Sequence, residues 1–100
     1  MILTVLYPAH ADARFDYDYY VDHHTPLVRE VWSPEDVTVY RGVAGVGGGE
    51  APHRLIAHIR FASNEALAAA LAGERTPEVF ADVAKFTDIQ PVALVTSSSS

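Results

Sequence analysis

RFDYDYYVDHHTPLV, residues 14–28, decides how the rest of the chain is read. Within eight residues it places Tyr17, Tyr19, Tyr20, His23 and His24, with Asp16, Asp18 and Asp22 among or beside them. Helix packing alone does not call for that density of hydroxyl and imidazole groups. At helical spacing Tyr17, Tyr20, Val21, His24, Leu27, Val28 and Val31 fall on one stripe, so the segment predicts an amphipathic helix with His24 turned inward. His23 stands about 100° around the helix from it, level with Tyr19, and the two imidazoles therefore diverge. Asp16 offers the N-cap oxygen, and Asp18 in the first turn is favoured by the helix dipole. Pro26 lacks the donor that would meet the carbonyl of Asp22, which predicts a kink near His23 or a break with Thr25 capping a second segment. Ser33-Pro34 ends the helix, because the residue before a proline disfavours helical geometry.

Outward from this helix the chain alternates strands and helices. Residues 1–7 alternate Ile2, Thr4, Leu6 against Leu3, Val5, Tyr7 up to Pro8 and read as a strand with two usable faces. Residues 37–43 and 54–61 alternate in the same way, and residues 89–96 form the last strand, where Pro91 suits an edge or a bulge. The connection GVAGVGGGEAPH predicts a wide hairpin loop, with residues 45–52 its most mobile part and free to close over a pocket. No Gly-Lys-Ser or Gly-Lys-Thr follows it, so it is not a phosphate cradle. Ser63 caps a helix over 64–72 that stops at Gly73, and Thr76-Pro77-Glu78 opens a short third helix with Val79, Phe80 and Val83 inside. Residues 1–96 make one domain, and residues 97–100, all serine, are expected to be a disordered tail.

The order β, α, β, β, α, short α, β is the split βαβ pattern of a ferredoxin-like α+β sandwich, with helices on one sheet face. Large apolar residues occur in both alternating sets of several strands. The uncovered face, carrying Ile56 or Val39 depending on register, would be a larger apolar patch than monomers usually show, so a homodimer is expected.

Composition narrows the function. Seven basic and thirteen acidic residues give a net charge of −6, which argues against nucleic acid and anionic membrane as partners. The longest apolar run, residues 66–72, is far short of a membrane span. There is no cysteine, and the N-terminal MILTVLYP has no cationic leader, so the chain reads as cytoplasmic. Dinucleotide and flavin fingerprints are absent, and the diverging His23-His24 pair makes a poor chelate, so neither a cofactor nor a metal is expected.

Two stretches carry a family resemblance. FDYDYYVDHHTPLV resembles the EthD signature Phe-Asp-x-x-Tyr-Tyr-x-x-x-His-x-Pro-Leu at Phe15, Asp16, Tyr19, Tyr20, His24, Pro26 and Leu27. FTDIQPV, residues 86–92, is similar to the family's closing Tyr-Thr-Asp-Ile-Gln-Pro, with Phe86 where tyrosine is frequent. The resemblance implies a dimeric α+β barrel with a pocket in each subunit between sheet and helices. It also implies an oxidoreductase label whose chemistry is poorly defined.

His24 reads in two ways: as a core histidine bonded to a carbonyl, or as a general acid or base on a phenol, enol or lactone with Tyr20 donating to the substrate oxygen. His24 and Tyr20 are thus the candidate catalytic residues, and Tyr19, His23 and Asp88 the candidate substrate contacts. Thr87-Asp88 reads equally as a turn that satisfies its own backbone. Arg41 and Arg60 are either carboxylate anchors or surface strand residues. The ligand expected is a small hydrophobic, often aromatic metabolite. The function expected is that of an acid–base enzyme or cofactor-independent oxidoreductase or, alternatively, a non-catalytic accessory that binds a product for an oxygenase. A cavity of roughly 300 Å³ or more lined by His24 and Tyr20 would favour the enzyme.

Overall fold

The structure, a computed structural model, describes residues 1–97; the serines expected to form a tail lie, beyond Ser97, outside the described residues. Strand β1 (Ile2–Pro8) leads to a helix in three consecutive pieces: α1 (Tyr17–Tyr19), a π-helical turn (Tyr20–His24) and α2 (Thr25–Trp32). Then come β2 (Asp36–Arg41), β3 (His53–Arg60), α3 (Asn64–Leu71), α4 (Thr76–Phe86) and β4 (Val92–Thr96). The sheet order is β2-β3-β1-β4 with every neighbour antiparallel, which is the ferredoxin-like α+β arrangement.

The helix at the centre departs from regular periodicity. Its start is as expected, since the Asp16 carboxylate accepts from the Tyr19 amide at 3.0 Å. At Pro26, however, the chain neither breaks nor is capped by Thr25, whose φ of −61° and ψ of −45° are helical. The turn before the proline widens instead, with the Thr25 amide donating to the carbonyl of Tyr20. A π turn gives the proline ring room against the preceding turn without interrupting the helix. It also delays the phase of the buried stripe. The buried residues are Tyr20, His24, Val28 and Trp32, spaced by four, while Val21, expected inside, is 58% exposed. Trp32 takes the place expected of Val31.

Strand register settles which face is which. Val39 pairs with Ala57, and Ala57 with Val5, so Val39 lies under the helices, whereas Ile56 lies on the opposite face with Leu6 and Tyr40. The helix face buries Leu3, Ile59 and Val37 against Val28, Trp32, Leu67 and Val79. A second cluster gathers Tyr7, Tyr20, Leu55, Ala57, Phe86 and Ile89. Phe86 is fully buried, and its ring lies 4.8 to 5.6 Å from those of His24, Tyr20, Phe15 and Tyr7. Truncating such a residue typically costs about 3–5 kcal/mol.

The third helix, expected to be short, runs eleven residues to Phe86. The last strand is correspondingly shorter than expected. It begins at Val92, just after Pro91, and occupies the sheet edge. Residues 14–16 and 86–89 are laced together between these elements. The Asp16 amide donates to the carbonyl of Phe86 at 2.7 Å, the Thr87 hydroxyl donates to that of Arg14 at 2.7 Å, and the Asp88 carboxylate accepts from the Arg14 amide at 3.3 Å. The two stretches that carry the family resemblance therefore meet in space.

Candidate active site

Between the sheet and the helices lies a cavity of about 290 Å³, lined on the sheet side by Leu3, Val5 and Tyr7 and on the helix side by Tyr20, His24 and Val28. Val79, Phe80 and Val83 of α4 and Pro91, Ala93 and Val95 at the last strand add to its wall, with Trp32, Ile59 and Leu71. The volume lies close to the roughly 300 Å³ at which ligand pockets begin. Phe80 is 58% exposed and Val95 48%. The cavity therefore opens along the seam between α4 and the edge strand.

His24 and Tyr20 come together here as one turn of helix dictates, with ring centroids 5.1 Å apart. The partner that orients the imidazole is Asp82 of α4, whose Oδ2 lies 2.9 Å from His24 Nδ1. The Asp82 carboxylate is buried, accepts from the Tyr19 hydroxyl at 2.7 Å and has Lys85 Nζ at 3.8 Å. Burial opposes its ionisation, but the hydrogen bonds from Tyr19 and His24 and the nearby charges outweigh this and hold its pKa below the ordinary carboxylate value. An ionised carboxylate only accepts, so Nδ1 carries the imidazole proton. Burial in turn depresses the His24 pKa, more than the attraction of Asp82 raises it. At neutral pH His24 is thus an uncharged imidazole with its Nε2 lone pair available.

The other polar groups of the wall are phenols and one indole. Trp32 Nε1 donates to Thr76 Oγ1 at 2.9 Å and is spoken for. The hydroxyls of Tyr7 and Tyr20, like His24 Nε2, have no hydrogen-bond partner among the described residues. Yet the one unpaired side-chain polar atom sealed from solvent there is Arg54 Nε. These three atoms therefore face open space. Burial raises the pKa of both phenols far above the ordinary value, so both remain neutral donors.

The remaining sequence candidates lie outside the cavity. Tyr19 sits behind it, where its hydroxyl reaches Asp82 and its ring lies 4.9 Å from that of His23. Both line a surface depression with Glu78 and Lys85. The hydrogen bond to Asp82, followed by burial, raises the Tyr19 pKa. Asp88 is exposed in an adjoining open depression and is tied to Arg14. Arg41 lies 3.9 Å over the ring of Tyr17 on the sheet edge. The glycine-rich loop contributes nothing to the cavity wall. Among the described residues no group of three His, Cys, Asp or Glu side chains is placed to hold a metal ion.

Asp82 and Tyr7 are the two groups that sequence reading passes over. Asp82 had a signal: it stands three residues after Val79 and four before Phe86, an acid on the buried stripe of an apolar helix. Tyr7 had none beyond its inward alternation in β1.

Fold and site together define a ferredoxin-like α+β protein with an apolar cavity and a buried histidine–aspartate pair in its wall. Residues 9–90 match the EthD domain, and the chain belongs to the EthD family. An EthD-like protein from Ralstonia eutropha JMP134 is 32% identical, with a TM-score of 0.86 over 93% of this chain and 86% of its own. The fold is shared at 21% identity by an ethyl tert-butyl ether D family protein from Bacillus halodurans C-125, with a TM-score of 0.68 over 91% of this chain and 94% of the other. An antibiotic biosynthesis monooxygenase, 12% identical over all of both chains, has the same fold with a TM-score of 0.51. No curated protein matches the chain. Among the described residues no helix is long and apolar enough to cross a membrane.

Proposed function

We propose that this chain is an acid–base enzyme that binds a small apolar, often aromatic metabolite between sheet and helices, with His24 as general base and Tyr20 as donor to a substrate oxygen. One observation carries the reading: His24 lines an apolar cavity while its Nδ1 is held at 2.9 Å by Asp82, which leaves Nε2 without a partner among the described residues. A core histidine needs a partner for one nitrogen; it does not need open space before the other. Tyr19 then acts as a positioning residue, because it reaches the cavity only through Asp82.

On this reading the reaction requires no bound cofactor or metal. The carbanion or phenolate left by proton removal is electron-rich, so the same site is suited to oxidation by dioxygen, and the oxidoreductase label of the family is accommodated. The working unit is a cytoplasmic homodimer. Its subunits pack through the open sheet face, where Ile2, Leu6, Tyr40, Ile56, Val92 and Leu94 have no covering helix.

The test is proton exchange in a small cyclic ketone. 2-Tetralone is incubated in deuterated buffer with the wild-type protein and with His24→Gln, and loss of the α-proton signal is followed by NMR. The wild type should accelerate exchange, and the variant should lose about 10²–10⁴-fold of that acceleration. Binding of the ketone with no His24-dependent exchange would leave the accessory, product-binding role instead.

A further inference from the structure

The cavity wall is more selective than its apolar area suggests. It contains no lysine or arginine, so a carboxylate or phosphate bound there would be a buried, unpaired charge. Its three unpaired polar atoms are instead one acceptor, His24 Nε2, and two donors, the hydroxyls of Tyr7 and Tyr20. The two phenol rings are neighbours, their centroids 6.0 Å apart, one on the floor of the sheet and one on the helix above it. Phe86 and Phe15 pack against both rings and fix them from the side away from the cavity. Two rigid donors of this kind thus stand side by side in one cavity wall.

We propose that Tyr7 and Tyr20 form a paired oxyanion site, and that the substrate is a neutral, enolisable ketone whose carbonyl oxygen lies between their hydroxyls and whose α-carbon faces His24. The step balances without any further reagent. His24 Nε2 takes the α-proton, the C–H electron pair forms the carbon–carbon double bond of the enolate, and the carbonyl π pair moves to oxygen, where the two phenols stabilise it. The imidazolium then returns the proton to carbon or to oxygen, so the net change is exchange or isomerisation. Both phenols are kept neutral by burial, which preserves them as donors through the reaction. Tyr7 thereby gains a role beyond packing.

This inference rests on the cavity being the ligand site, and the experiment separates the two. Calorimetry measures the affinity of 2-tetralone, of tetralin, which has the same rings without the oxygen, and of tetralin-2-carboxylate. The wild type, Tyr7→Phe and Tyr20→Phe are compared, with folding of each checked by circular dichroism. Each phenylalanine keeps the ring and removes only the hydroxyl. The ratio of ketone to hydrocarbon affinity should fall about tenfold in each variant while tetralin binding holds, and the carboxylate should bind none of the three. An unchanged ratio in both variants, or a carboxylate that binds the wild type as tightly as the ketone, overturns the donor pair while leaving the cavity as a binding site. If neither tetralone nor tetralin binds the wild type, the donor pair and the reading of the cavity fall together.

Discussion

His24 Nδ1 and Asp82 Oδ2 lie 2.9 Å apart although 58 residues separate them in the chain. The contact joins the π turn of the first helix to the middle of α4 and is buried on both sides. It fixes the tautomer of the imidazole, and so determines which nitrogen looks into the cavity.

Because each partner is buried, removing either leaves the other short of a hydrogen bond, although Asp82 keeps that from Tyr19. We expect His24→Ala and Asp82→Ala each to cost about 3 kcal/mol, and the double variant to recover part of that loss, with a coupling of about 1–3 kcal/mol. Urea unfolding of the four proteins measures it. Coupling indistinguishable from zero would mean that the pair is not formed in solution. The expected cost exceeds the roughly 1–2 kcal/mol of an ordinary substitution, because a buried polar group is left without one of its hydrogen bonds.

Stability should depend on pH through His24. Its pKa in the folded chain lies below the ordinary 6.5, so below that value the unfolded chain binds the extra proton more readily. The stability associated with the neutral imidazole is therefore fully present above about pH 6.5 and is lost as pH falls through the folded-state pKa. Chemical denaturation at pH 7.5 and at pH 5.5 should show the wild type weakening on the acid side and His24→Gln weakening less. Equal losses in both proteins would assign the pH dependence to other groups.

Filling the cavity should abolish binding and spare the fold. Val83 lines the wall from α4 and is half-buried, and Val83→Phe places a ring into the 290 Å³ space. Thermal unfolding should then change by no more than the equivalent of about 1 kcal/mol, or rise, because the added atoms gain contacts with the apolar wall. Calorimetry with 2-tetralone should register no binding. Retained affinity would place the ligand elsewhere.

The open sheet face provides the last prediction. Val92 is 53% and Tyr40 54% exposed, and Ile56 lies between their strands. Light scattering at micromolar concentration should give twice the 10.9 kDa of one chain, and Ile56→Glu should give 10.9 kDa, because the dimer would bury an unpaired charge. A wild-type mass of one chain would remove the dimer.

Local chemistry was legible in the sequence wherever one element decides it. Asp16 and Ser63 cap the helices they were expected to cap, because a capping oxygen needs only the amide three residues on. The element order implied the ferredoxin-like α+β sheet, because antiparallel split βαβ connections leave few alternatives. The inward turn of Tyr20 and His24 followed from helix periodicity, and the EthD family from two contiguous strings. What the tertiary structure decided involves either a change of period or a partner distant in sequence. The π turn before Pro26 moved the stripe to Trp32 and turned Val21 outward, since one widened turn shifts every later residue around the helix axis. Strand register put Val39 beneath the helices and Ile56 on the open face, because a slip of one residue exchanges the two faces. Asp82 became the partner of His24 only when α4 was laid beside the first helix, and Tyr7 joined Tyr20 only across the gap between sheet and helix. Contacts of this kind depend on how whole elements dock, and the spacing of residues within one element does not encode them.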